Sequence, residues 1–156
     1  MGVYRQSRNI EASLVDFITS ALTTDSWTGI RVEKGFPQDY KKITPFIGVE
    51  VLDLNPEKLE IGSKTHIKYY NVRIRIFAKN DGQRLDLADW LFDELEDDAT
   101  YYAYTIANGV VSVKTASGKI VINGKIASGK ELQNTENLEI EDKYRHLISF
   151  ECYVAA

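Results

Sequence analysis

The sequence is poor in cysteine and proline, has no long apolar run, and carries no excess of basic charge. Its one cysteine, Cys152, excludes an intramolecular disulfide. Lying in an alternating apolar stretch, it reads as a small buried hydrophobe in a reducing compartment. No run approaches the ~20 apolar residues of a membrane span, so no membrane partner is expected. Met1 to Gln6 lack the apolar core of a secretory leader. Gln6 also stands where myristoylation of Gly2 would want serine or threonine. The net charge of −4 speaks against a dedicated nucleic-acid binder, which usually presents a net basic surface. With 44% hydrophobic and 27% charged residues among 156, the chain fits one soluble, intracellular domain, residues 1–156. A chain of that length buries roughly 68–70% of its unfolded surface.

Helical periodicity comes first. Ile10, Leu14, Phe17, Ile18, Ala21 and Leu22 share one face of a helix predicted over 8–22. Short strands are predicted at Ile30–Gly35 and Phe46–Leu54, the second ended by Asn55-Pro56 because proline cannot donate to a ladder. Thr65–Ala78 then alternates without a break. At ~3.3 Å per residue it would extend about 45 Å, against a globule diameter of roughly 40 Å. It must bend sharply or project. Asn80-Asp81-Gly82 caps a second helix, Gln83–Leu95, with an apolar stripe at Leu87, Ala88, Leu91 and Leu95. Val110–Lys114 and Ile120–Ile122 are predicted as short strands. Asn108-Gly109 and Asn123-Gly124 are hairpin signals, and Ser128–Asn137 reads as a long loop. A second long strand, Lys143–Val154, is the natural partner of Thr65–Ala78. The order predicts an α+β fold: a mixed, mainly antiparallel sheet with two helices packed on one face, plus a β-hairpin insertion over 99–142.

Candidate chemistry is thin. Gly124 to Glu131 misses the phosphate-binding loop pattern at its last residue, where Glu131 replaces the magnesium-holding hydroxyl. No amphipathic helix follows it, so a Gly/Lys-rich hairpin loop is the better account. His66 and His146 could pair across strands to hold a metal, but no acidic or cysteine ligand has a helpful spacing. Strand histidines are more often plain polar residues. The acidic run Asp86, Asp89, Asp93, Glu94, Glu96, Asp97 and Asp98 reads first as a solvated helix face. Carboxylates at a helix C-terminus are electrostatically unfavourable, which invites a compensating basic partner. No G-x-S-x-G elbow is present. The sequence therefore implies no catalytic residue, metal or cofactor. Lys68, Tyr69, Tyr70, Arg73 and Arg75 form an aromatic-basic stripe that could stack on nucleic acid, or could pair with the acidic run of another copy.

The order of elements supports a resemblance. An N-terminal helix leads through strands and a long loop to Val72-Arg73-Ile74-Arg75-Ile76-Phe77-Ala78. A helix, Asp81-Gly82-Gln83-Arg84-Leu85-Asp86-Leu87-Ala88-Asp89-Trp90-Leu91, is entered directly from it, and a long strand closes the chain. This resembles the tail terminator (tail completion) proteins of long-tailed bacteriophages and related neck or head–tail joining components. The resemblance implies a virion protein assembled in the host cytoplasm: a hexameric ring capping the tail tube. Its partners would be further copies of itself, the tail tube protein and the head–tail connector protein, with DNA passing through the lumen without specific binding. On that reading Tyr69, Tyr70, Arg73, Arg75, Arg145 and Glu151 on the long strands carry subunit contacts. Glu57, Lys58, Glu60, Lys64, Lys130 and Glu131 in the flanking loops reach the tube or connector. The alternative is an oligomeric nucleic-acid-binding or accessory module without catalytic activity.

Overall fold

A computed structural model describes residues 2–35, 45–58, 66–96, 98–129 and 145–155. The chain runs β1 (Gly2–Val3), α1 (Gln6–Thr24), β2 (Arg31–Lys34), β3 (Phe46–Lys58), β4 (His66–Phe77), α2 (Asp81–Glu94), β5 (Ala99–Ala107), β6 (Val110–Gly129) and β7 (Arg145–Ala155). The strands form one sheet in the order β1-β5-β6-β7-β4-β3-β2, antiparallel except for the β2–β3 pair. This is the α+β architecture the periodicities predict, with both helices on one face.

The core follows from the two periods. Ile10, Leu14, Ile18 and Leu22 recur at fourth positions along α1, and Leu87, Leu91 and Leu95 do so along α2 and its C-cap. They meet Ile47, Val49, Val72, Ile74, Ile76, Ile120 and Ile148 on one face of the sheet. α2 starts where Asn80 accepts from the Gln83 backbone N–H at 2.8 Å, and the Gln83 side chain accepts from the Lys79 N–H at 2.8 Å. These bonds satisfy donors that a helix start leaves open. Trp27 and Trp90 pack 5.8 Å apart, and the Trp90 indole donates to Asp25, which ties the end of α1 to α2.

α1 also closes a sheet edge. The Ser13 hydroxyl accepts from the Tyr102 N–H at 2.9 Å, Asn9 Oδ1 accepts from the Tyr104 N–H at 3.3 Å, and Asn9 Nδ2 donates to the Tyr101 hydroxyl at 2.9 Å. The exposed backbone of β5 is thus capped by helix side chains as well as by two-residue β1. On the far side, Glu11 accepts from the Val51 backbone of β3, although burial outweighs that bond and raises its carboxyl pKa. α1 packs against β5 near one edge and against β2 and β3 at the other. Lys34 of β2 reaches within 5.5 Å of the ring of Tyr4, and the Tyr4 backbone N–H donates to the Tyr104 carbonyl of β5. A flat sheet would hold those strands roughly 24 Å apart at 4.8 Å per step. The sheet is therefore strongly curved around α1.

Several boundaries depart from the sequence pattern. β3 runs through Asn55-Pro56, with Pro56 opposite Lys68. β2 covers only Phe46–Val49, so this is an edge position, where a strand admits proline. β5 was hidden because Ala99–Ala107 shows no clean alternation, and bulges at Tyr101/Tyr102 and Thr105/Ile106 break its register. Asn108-Gly109 does make the expected turn, with φ of 53° and 77°. Asn123-Gly124 does not. It sits in a bulge between Asn123 and Ile126, within a strand of 20 residues.

The excess strand length therefore lies largely in β6. β7 pairs with β4 only as far as Tyr70, and Tyr153 to Ala155 stay with β6. The sheet parts there into a β3–β4 arm and a β5–β6 arm. The second arm carries Val110, Val111 and Val113 into solvent, with Val110 68% exposed.

Candidate assembly surface

The second face of the sheet is set by register. On β4, Tyr70, Val72, Ile74 and Ile76 point toward the helices, so Tyr69, Asn71, Arg73 and Arg75 point away from them. Ser149 lies opposite Arg73 and Glu151 opposite Asn71 on β7, and Asn123 lies opposite Glu151 on β6. No helix among the described residues covers this face. At its centre is a shallow groove of about 360 Å³. Its floor is polar, from Asn71, Arg73, Ser149 and Glu151. Its rims are Leu52 and Ile126, exposed by 37% and 65%. Both rim residues stand at register breaks, where a bulge re-aims a side chain.

The charges on this face differ in their engagement. Glu50 is registered opposite Arg73 but holds Arg75 instead, at 2.6 Å. Arg73 is exposed and forms no ion pair with any described residue. Tyr69 and Tyr153 pack edge-on at 5.5 Å.

Of the predicted contact residues, Tyr69, Arg73, Arg75 and Glu151 share this face. Tyr70 does not: it is 4% exposed, lies beneath α1, and donates to Gln6 at 2.8 Å. Alternation alone separates it from Tyr69. Position 145 begins β7 opposite Phe77. Glu57 and Lys58 belong to β3 rather than to a loop. Glu60, Lys64, Lys130 and Glu131 lie outside the described residues, as does most of the predicted Ser128–Asn137 loop.

His66 pairs with Lys58 at one end of β4, whereas His146 pairs with Ile76 near the other. Ten strand positions, roughly 33 Å, separate them, so they cannot share a metal. No metal-binding group of His, Cys, Asp or Glu occurs among the described residues. Gly124 to Gly129 form strand rather than the expected Gly/Lys-rich hairpin loop, and Lys130 and Glu131 lie outside the described residues. Lys125 instead donates to the Phe92 carbonyl at 2.7 Å and lies 4.2 Å over the Phe92 ring. It is a basic partner for the acidic C-terminal end of α2, supplied from within the chain. Asp86, Asp89 and Asp93 are exposed, as a solvated face requires. Cys152 is buried, and burial, followed by the charge of Glu151, pushes its thiol up to about 12. No helix of the described residues is long and apolar enough to cross a membrane.

Sequence reading missed one buried polar cluster. Arg84, 9% exposed, donates to Asp81 at 2.9 Å and to His146 Nδ1 at 3.1 Å. Arginine can only donate, so Nδ1 must be the unprotonated nitrogen. Burial lowers the His146 pKa, the Arg84 charge lowers it further, and Asp89 opposes both. The unfolded ring titrates near 6.5 and the folded ring below that. Its stabilising contribution is therefore whole above about pH 6.5 and is lost as pH falls through the folded value. Urea unfolding from about pH 7 to about pH 5 should show falling stability, and His146→Gln should flatten that slope. A spacing of 62 residues between Arg84 and His146 gave no local signal of their contact.

Compared with known proteins, the chain matches no family model and no curated sequence.

Proposed function

We propose that this chain is a structural virion subunit that assembles into a ring at the end of a bacteriophage tail tube, terminating the tail and meeting the head connector. The observation that carries the reading is the asymmetry of the molecule. Helices cover one face of the sheet, and the other face presents Arg73 and a groove with apolar rims. A subunit with unlike sides makes heterologous contacts, and a heterologous contact that closes makes a ring. The β5 edge is capped by α1, so that edge is unsuited to open-ended strand addition. The β5–β6 arm, with its exposed valines, extends past the end of β7 and can reach a neighbouring component. The direct passage from Phe77 through the Asn80 cap into α2, on which the phage resemblance rests, supports the same reading. Nucleic-acid binding has less support: Glu50 already engages Arg75, and Glu151 stands beside Arg73 in the groove.

Light scattering over a concentration series, with negative-stain images, tests this. Closed rings are expected, and addition to purified tail tubes should cap them. A strict monomer at every concentration that also ignores tail tubes overturns the proposal.

A further inference from the structure

The groove and the outer surface of α2 have matching chemistry. Leu85 is 45% exposed on α2, a large apolar side chain standing in water. One turn on is Asp89, with Asp86 beside it and Asp93 a turn beyond, all exposed. Helical spacing puts these four on the side of α2 away from its buried stripe of Leu87, Ala88 and Leu91. Leu85 is thus an apolar knob flanked by carboxylates, and the last turn of α2 holds no basic residue of its own. The groove is the complement: an exposed arginine with no described ion-pair partner, between the apolar rims Leu52 and Ile126. Helix and groove lie on opposite sides of the sheet, so one molecule cannot bring its own pair together.

We propose that α2 of one copy docks on the helix-free sheet face of the next, Leu85 entering between Leu52 and Ile126 while Asp89 meets Arg73. This deepens the assembly reading and rests on it. The occupant is a second copy of this chain because the only strongly acidic surface beside an exposed apolar side chain among the described residues belongs to α2 itself. The contact is front to back, each copy offering one helix and one groove, which is the heterologous geometry a ring requires. Attraction between surface charges should weaken with salt. The Glu151 carboxylate on the groove floor keeps Arg73 from being an indiscriminate anion site and favours a partner that also brings an apolar contact.

A charge swap tests the pairing. Arg73→Glu and Asp89→Arg are prepared separately and together on the full chain, and assembly is measured by sedimentation at low and high salt. Both positions are exposed, and circular dichroism checks that each variant folds. Each single variant should weaken association at least roughly tenfold, since like charges across an interface are strongly disfavoured. The double variant should recover most of the wild-type assembly. Leu85→Ser, which alters no charge, should weaken association as well. Wild-type rings that persist unchanged in both single variants overturn the docking while leaving ring assembly intact. Weakened singles without recovery in the double show that the two residues do not meet, and also overturn it. A wild-type chain that stays monomeric and ignores tail tubes overturns docking and ring together.

Discussion

Replacing Gly48 with valine is expected to destabilise the protein by about 3 kcal/mol, although valine is the better strand former. Gly48 lies within β3, opposite Arg75. A Cβ there would stand 2.6 Å from the Gly35 carbonyl oxygen. That oxygen is backbone, fixed by the bond from the Gly35 N–H to the Val49 carbonyl and by a Gly35 φ of 69°. The clash cannot be relieved by a rotamer change. Either β2 moves away from β3 or β3 bends. Alanine should cost about 1–2 kcal/mol for the same reason, with valine worse because its branches meet the same wall. Urea denaturation of both variants checks the order. A Gly48→Val protein as stable as wild type would mean that the close approach of β2 is not part of the fold.

Asn9→Leu should cost about 2–4 kcal/mol, more than its similar volume suggests. The lost amide leaves the Tyr104 N–H and the Tyr101 hydroxyl without partners in a buried setting. Each orphaned buried group costs about 1–3 kcal/mol. A second effect follows from position. Asn9 and Ser13 cap the edge of β5, and removing one cap exposes part of an unpaired ladder, a template for strand addition. Thermal unfolding of Asn9→Leu should begin earlier and end in aggregation. Asn9→Asp should behave differently at the two bonds: the carboxylate can still accept from the Tyr104 N–H, but it cannot donate to Tyr101. A leucine variant with unchanged stability and reversible unfolding would show that the β5 edge does not depend on α1.

The two kinds of residue separate what could be read in advance from what could not. Alternation and helical spacing identified α1, β4, α2 and β7, and the core face of each, because burial acts on each residue through its own strand or helix period. The same logic placed Arg73, Arg75 and Tyr69 on one face. The same alternation sets Tyr70 on the opposite face with Val72, Ile74 and Ile76; only an aromatic-basic stripe taken across both faces of the strand makes it a contact residue. Bulges were invisible. Leu52 and Ile126 become groove rims only because register slips beside them, and a slip depends on the partner strand as well as on local sequence.

The second face of the sheet divides the same way. By its order of periodic segments the sequence determined an α+β fold, and by its composition one cysteine and a net charge of −4. It also determined an acidic outer face on α2 and arginines on a long strand. Only the tertiary structure decided that Glu50 would take Arg75 and leave Arg73 exposed, and that Lys125 would cap α2 from a strand 33 residues away. It also decided that Asn9 and Ser13 would close the β5 edge. Each of these is a contact between residues distant in sequence. Local periodicity reports which face a residue occupies, whereas the partner it finds there depends on how the curved sheet brings separate strands and α1 together.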